Sequence, residues 1–416
     1  MEEKTPGPAL FFLGFALGED DLVDEEENHH IQPLCHCEPV PRPGAAVFRL
    51  VIPGGFWYTK TRSRPGKKQE RRSKMPNQTV RPYVRSFQGL RGCAIALIFL
   101  SHCKICIGNS ELSITTWFGA LGVCMFTVLS GYLLALHYAG EAIDTRAHAK
   151  KKLKRYYPLH LVTLLAAVPF CLDSLLALDK TAWLSLLCQL LLVQAWVPVP
   201  GIYFSMNVVA WYLSLDLFYG LAGPWLLKRA EKLPRRYLLA GLVCVIGVQF
   251  LWTGLTWQIP ASRWLIYIFP PARLLDLLAG ILLCLLHTAR QEEKKPLPGQ
   301  WAAALALAAM GILLTLSLPL NSEWFAVCVW TIPVCVLIGC LAGQDTAPWL
   351  RGLFQNRGIQ YLGAVSFELF LIHQLCIRYC RVICLYLGVP VPYSYLPAFL
   401  LSLLAAGLWR RITKKG

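Results

Sequence analysis

Polar and apolar positions divide this chain in two. Up to residue 85 the sequence is polar, charged and rich in Pro and Gly. Beyond it, long apolar runs follow one another, separated by short basic or polar stretches. A helix needs about 20 mostly apolar residues to cross a hydrocarbon core of about 30 Å. The pattern predicts an all-α membrane protein, a polytopic bundle of about ten transmembrane helices. The spans fall at 89–107, 117–138, 156–172, 207–227, 237–256, 266–288, 301–319, 324–342, 360–387 and 394–409. A further run at 182–198 is ambiguous between a span, a re-entrant segment and a surface helix.

Loop charge arbitrates, because Lys and Arg collect on the cytoplasmic side. Lys60–Arg85 is basic, and loop 139–155 carries Arg146, Lys150, Lys151, Lys152, Lys154 and Arg155. If 182–198 does not span, the basic loop 228–236, Arg290–Lys295, Arg351–Arg357 and the tail Arg410–Lys415 also fall inside. Both termini are then cytoplasmic. Three parts follow: residues 1–85, a disordered segment that is acidic and then basic; 86–411, the transmembrane domain; and 412–416, a basic tail. Met75 opens the run into the membrane domain, which leaves open that the first 74 residues are an extension from an upstream start codon.

Composition narrows the class. The 416 residues are 56% hydrophobic and 15% charged, with mean hydropathy +0.47, which soluble domains do not reach. The net charge of +16 reflects basic loops between apolar runs, so no nucleic-acid partner is expected. All but Cys35 and Cys37 of the 16 cysteines lie after residue 90, mostly in apolar runs. Their spacing matches neither a zinc site nor a disulfide framework. Cys35-His36-Cys37, near His29 and His30, fits no metal finger either, so no metal is expected. The sequence separates neither plasma from internal membrane nor one oligomeric state from another.

Ionisable residues inside apolar runs carry the candidate chemistry, since a charge in hydrocarbon is costly. Arg91 and His102 share the first run, eleven residues apart. That spacing is about three helical turns, so both leave one face, roughly 16 Å apart. An anion held at the mouth and proton chemistry further in would suit this wall. Lys104 and His137 stand near helix ends, where snorkelling to the interface suffices. Asp216 is a lone carboxylate in the apolar Trp211–Leu221, for which His102 or Arg273 is a candidate partner. Arg273 and Asp276, three apart, either pair with each other or serve a substrate. His373 lies deep in the ninth run, with Glu368 five residues before it. Ser130, before Gly131, is a candidate site hydroxyl or a close-packing position.

Six blocks stand in order along the chain: Arg85–His102, Gly119–Leu133 (GALGVCMFTVLSGYL), Lys151–Pro158 (KKLKRYYP), Asn207–Pro224, Pro271–Gly280 and Tyr361–His373 (YLGAVSFELFLIH). In these blocks and their order the chain resembles the acyltransferase-3 family of integral-membrane O-acyltransferases. Four positions depart from its pattern: Gln88 stands for Asp, Asp216 for Glu, Tyr212 for Ser, and Glu368 is an intrusion. The resemblance implies transfer of an acyl group, commonly acetyl, from acyl-CoA to a hydroxyl of a glycan, lipid or small molecule, within membrane lipid. Acyl-CoA is then a co-substrate and no bound cofactor is expected. A histidine with a near-neutral pKa suits the base that takes a hydroxyl proton, which makes His102 the candidate base, with Asp216 orienting it. Arg91 and Arg155 suit the donor's phosphates. Arg273, His373 and Ser130 remain for the acceptor or the oxyanion. A covalent intermediate on Ser101 or Ser130 is a weaker variant, since neither sits in a nucleophile elbow. The rivals are a secondary transporter, which proline-broken helices (Pro158, Pro270, Pro271, Pro333) also fit, and a non-catalytic binder of acyl-CoA or lipid.

Overall fold

Once an apolar segment leaves water, its peptide groups must bond internally, and a helix satisfies them within the segment. In a computed structural model, which describes residues 84–103, 116–293, 299–320, 327–343 and 348–414, every regular element among the described residues is helical. The main helices are α1 (Arg85–His102), α2 (Thr116–Tyr138), α3 (Thr145–Ala167), α4 (Lys180–Leu191), α5 (Trp211–Ala230) and α6 (Leu238–Thr256). They continue with α7 (Pro270–Glu292), α8 (Gln300–Leu320), α9 (Cys328–Ala342), α10 (Arg357–Ala364), α11 (Ser366–Tyr386) and α12 (Tyr395–Lys414). Residues 1–83, and with them the Cys-His-Cys motif and the expected disordered segment, lie outside the described residues, as does Lys104.

Among the described residues, five helices are long and apolar enough to cross a membrane: Trp117–Tyr138, Arg235–Thr256, Pro270–Glu292, Ser366–Tyr386 and Val391–Thr413. All five overlap expected spans. Gln300–Leu316 and Cys328–Ala342 are apolar but shorter. The runs expected at 89–107, 156–172 and 207–227 fall on α1, α3 and α5, whose charged side chains, exposed or half-buried, dilute their apolar character.

Several boundaries differ from expectation, each for a local reason. The Asp144 carboxylate accepts from Ala147 N at 3.1 Å, an N-cap that starts α3 inside the expected loop 139–155. Lys150 to Arg155 therefore stand on a helix. The run 360–387 breaks at Val365 into α10 and α11. The ambiguous run 182–198 yields α4, 12 residues long and so roughly 18 Å, too short to span, followed by a 3-10 turn at Gln194–Trp196. The chain leaves α4 through Leu192 in the left-handed region, φ 56°. Its faces are inverted: Ser185 and Gln189 point inward, while Trp183, Leu184, Leu187 and Leu191 are exposed.

The centre of the bundle is set by close helix approach. α2 packs against both α1 and α7. A Cβ on Gly131 would come within 2.0 Å of Leu277 O, and one on Gly280 within 2.0 Å of Val128 O. Small residues let membrane helices pack backbone to backbone in this way. Gly131 thus accounts for the packing half of the Ser130-Gly131 pair. α1 is held to α10 by the Gln88 amide, whose Nε2 donates to Gln360 O at 2.8 Å. A carboxylate cannot donate that bond, which gives a physical reason for Gln where the resembling family has Asp.

Candidate active site

α1, α2, α3, α5 and α11 enclose a cavity of about 160 Å³ lined by Arg91, Phe126, Ser130, Lys152, Arg155, Tyr156, Tyr212, Leu213, Asp216, Ser366, Phe367 and Phe370. Four residues singled out from the sequence, Arg91, Ser130, Arg155 and Asp216, therefore meet on one wall system. They come from helices far apart in sequence. α3 turns Lys152, Arg155 and Tyr156 to the same side, at the i, i+3, i+4 spacing that shares a helix face.

The cavity's charge is three cations against one carboxylate. Lys152 Nζ donates to Asp216 Oδ1 at 2.7 Å and to Asp216 O at 3.2 Å. These side chains are 27% and 21% exposed, so the pair is half-solvated. The structure thus pairs Asp216 with Lys152, where sequence reasoning offered His102 or Arg273. Arg155 lies over the Phe367 ring, 5.7 Å from its centroid. Burial first, then the Lys152 ammonium, hold the imidazole of His148, one turn before Lys152, below the usual range. The Ser130 hydroxyl faces the cavity but donates to Phe126 O at 2.7 Å.

Phe370 forms part of the cavity wall, edge-on to Tyr212 at 5.5 Å. One turn further along α11 is His373, its ring 6.2 Å from that of Phe370. His373 meets His102 edge to face, ring centroids 5.0 Å apart at 80°. About three turns beyond Arg91, which stands near the middle of α1, His102 is the last residue of that helix. It is thus at a helix terminus, with its partner deep in α11. His102 Nδ1 lies 2.8 Å from Ile98 O, and His373 Nδ1 lies 3.0 and 2.9 Å from Leu369 O and Phe370 O. A carbonyl only accepts, so each Nδ1 carries the hydrogen and each neutral ring keeps its basic lone pair on Nε2. His137 makes the same contact with Leu133 O at 2.8 Å, so the bond fixes a tautomer without marking a site.

Arg273 lies apart from the cavity lining. It is fully buried, with Nη2 2.9 Å from Asp276 Oδ2. That contact is a close ion pair, not a directed hydrogen bond, because neither atom has a hydrogen-bond partner among the described residues. Asp276 Oδ1 accepts from Gln249 Nε2 at 2.6 Å and from Thr331 Oγ1 at 3.0 Å. Of the two readings open for Arg273, the structure displays the pairing with Asp276. Lys152 was missed as a site residue because it counted as loop charge. Its signal was helical spacing to Arg155 and Tyr156 across an assumed loop.

A bundle of apolar helices around a charged cavity, with paired imidazoles beyond it, defines a class: a multi-pass membrane protein with an internal polar site. The particular family follows from comparison with known proteins. Residues 84–409 match the acyltransferase-3 family, described as an acyltransferase domain, and the chain belongs to that family. It is 31% identical over 329 residues, 73% of this chain and 81% of the other, to the acyltransferase MdmB of Streptomyces mycarofaciens. No solved structure matches. The protein is therefore an acyltransferase enzyme of the membrane, which sets aside the transporter and the non-catalytic binder.

Proposed function

We propose that the protein transfers an acyl group, acetyl foremost, from acyl-CoA to a hydroxyl of a carbohydrate or related acceptor, with His102 as general base. The observation that carries this reading is one cavity holding Arg91, Lys152 and Arg155 against the single carboxylate of Asp216. Its net positive charge suits the phosphates of a CoA thioester. Arginine meets phosphate through a planar fork, and lysine as a point charge.

The ten-span topology with cytoplasmic termini belongs to the same reading. It turns the Arg91 end of α1 toward the cytoplasm, where CoA is found, and carries His102 to the other end. The acceptor hydroxyl oxygen attacks the thioester carbonyl carbon while His102 Nε2 takes its proton. The C–S bond then breaks, and the thiolate recovers that proton as CoA leaves. The product is the ester, and His102 ends neutral. Asp216 acts through Lys152, holding the ammonium in place, and so is a positioning residue. Arg273, tied to Asp276, takes no direct part.

The test is transfer of radiolabel from acetyl-CoA to a glycan acceptor pool by the purified protein. His102→Ala should lose on the order of 10²–10⁴-fold in rate. Absence of labelled product from the wild type, with cellular acylated products unchanged by His102→Ala, would overturn the reading.

A further inference from the structure

The cavity has a charged end and an aromatic end, and the helices that line it give the two an order. On α11, Phe367 lies under Arg155, Phe370 follows one turn on, and His373 one turn beyond that. On α5, Asp216 holds Lys152 at 2.7 Å. One turn away stands Tyr212, its ring 5.5 Å from that of Phe370. On α2, Ser130 and Phe126 are one turn apart. A Cβ on Gly119 would meet Ser101 Oγ at 2.7 Å, which sets the start of α2, and so the Phe126 side, beside the His102 end of α1. Every helix leads the same way: from Arg91, Lys152, Arg155 and Asp216 to Phe126, Tyr212 and Phe370, with the paired imidazoles beyond.

A CoA thioester is divided in the same sense. Its phosphates take charge-assisted bonds, and its acyl chain is received by apolar contact. With the phosphates at the cations, the acyl chain points at the three rings. Tyr212 is the ring held from two sides: Phe370 and Trp211 both pack edge to face with it, at 62° and 85°. Protein interiors are close-packed, so a fixed ring at the end of a pocket makes each added methylene felt. We propose that Tyr212 sets the length of acyl chain that the enzyme accepts. Its ring closes the apolar end of the cavity, so that acetyl and its near homologues enter and longer chains such as hexanoyl are rejected. Tyr212 is a specificity-determining residue: it touches the acyl chain and takes no proton in the reaction.

This inference rests on the proposed acyl-CoA donor, and its test separates the two. Free CoA, acetyl-CoA, butyryl-CoA and hexanoyl-CoA are titrated into purified wild type, Tyr212→Ala, Tyr212→Phe and Tyr212→Trp in detergent, with no acceptor present. Wild type should bind hexanoyl-CoA on the order of tenfold or more weakly than acetyl-CoA, the scale on which a fitted pocket rejects an extra methylene. Tyr212→Ala should erase that difference while binding free CoA as wild type does. Tyr212→Phe keeps the ring and should keep the wild-type ratio, and Tyr212→Trp should deepen the penalty on butyryl-CoA. A hexanoyl-to-acetyl ratio unchanged by Tyr212→Ala would overturn the inference. So would a ratio shifted as far by Tyr212→Phe, or a wild type that binds hexanoyl-CoA as tightly as acetyl-CoA. If Tyr212→Ala loses its thermal midpoint, Tyr212→Trp decides: a weakened butyryl-to-acetyl ratio supports the inference and an unmoved one overturns it. If wild type does not bind even free CoA, the fault lies in the donor reading itself, and this inference falls with it.

Discussion

Two ion pairs lie on opposite sides of the line between scaffold and site. Arg273–Asp276 is fully buried, and Asp276 takes two further hydrogen bonds from Gln249 and Thr331. Lys152–Asp216 is half-solvated and lines a cavity with Arg91 and Arg155. By sequence each is a single acid in an apolar run, Asp276 with Arg273 three residues before it and Asp216 with no cation within a helical turn. Burial separates them. A buried charge whose partner is removed has nowhere to go, whereas a half-solvated one is recovered by water. The first pair is therefore a matched pair of charges that must stay matched inside the bundle, and the second stands in a cavity wall that solvent reaches.

That contrast breaks first at Asp276. Asp276→Leu strands a buried guanidinium and should cost about 3–5 kcal/mol, read as a collapse of the thermal midpoint in detergent. The double variant Arg273→Met, Asp276→Leu should recover much of that loss, because no charge is left unpaired. An Asp276→Leu protein as stable as wild type would erase the distinction between the pairs. Next, Arg155→Ala and Lys152→Ala should each weaken acyl-CoA binding about tenfold, the size of one charge-assisted hydrogen bond, with the thermal midpoint kept. Titration of the purified proteins with acetyl-CoA reads this, and unchanged affinity in both would remove the cavity from donor binding. A smaller effect is salt. Raising ionic strength should lower wild-type affinity for acetyl-CoA a few-fold by screening, and less so in Arg91→Ala. An equal salt response in the two proteins would exclude Arg91 from that field. Smallest is Gln88→Leu, which loses the bond to Gln360 and should cost about 1 kcal/mol with donor affinity unchanged. A tenfold change in donor affinity there would place the α1–α10 contact in the site.

What the sequence made legible is a matter of spacing along single helices. The eleven-residue separation of Arg91 and His102 puts His102 at the C-terminal end of α1, about three turns beyond Arg91 near the helix middle. Apolar length placed α2, α6, α7, α11 and α12. Contacts between helices were beyond its reach. Asp216 finds Lys152 across 64 residues, and nothing local encodes that pairing. The cation was hidden because positive charge at a membrane border serves topology as well as chemistry, and Lys152 was counted only for the first. His373 was visible as a deep histidine, but its contact with His102 depends on α1 and α11 meeting. The run 182–198 misled for a different reason. Hydropathy sums over a helix without asking which face is buried, and α4 turns its polar side inward.

The central claim is a division of labour along α1, with Arg91 and the neighbouring cations holding the donor and His102 doing the chemistry. Its most direct measurement is a single-turnover assay with radiolabelled acetyl-CoA and a glycan acceptor pool, run on wild type, Arg155→Ala and His102→Ala, with donor binding followed in the same samples. The account predicts that His102→Ala binds acetyl-CoA as wild type does yet forms almost no ester, while Arg155→Ala forms ester at saturating donor but binds it weakly. Ester formation by His102→Ala at the wild-type rate would contradict it.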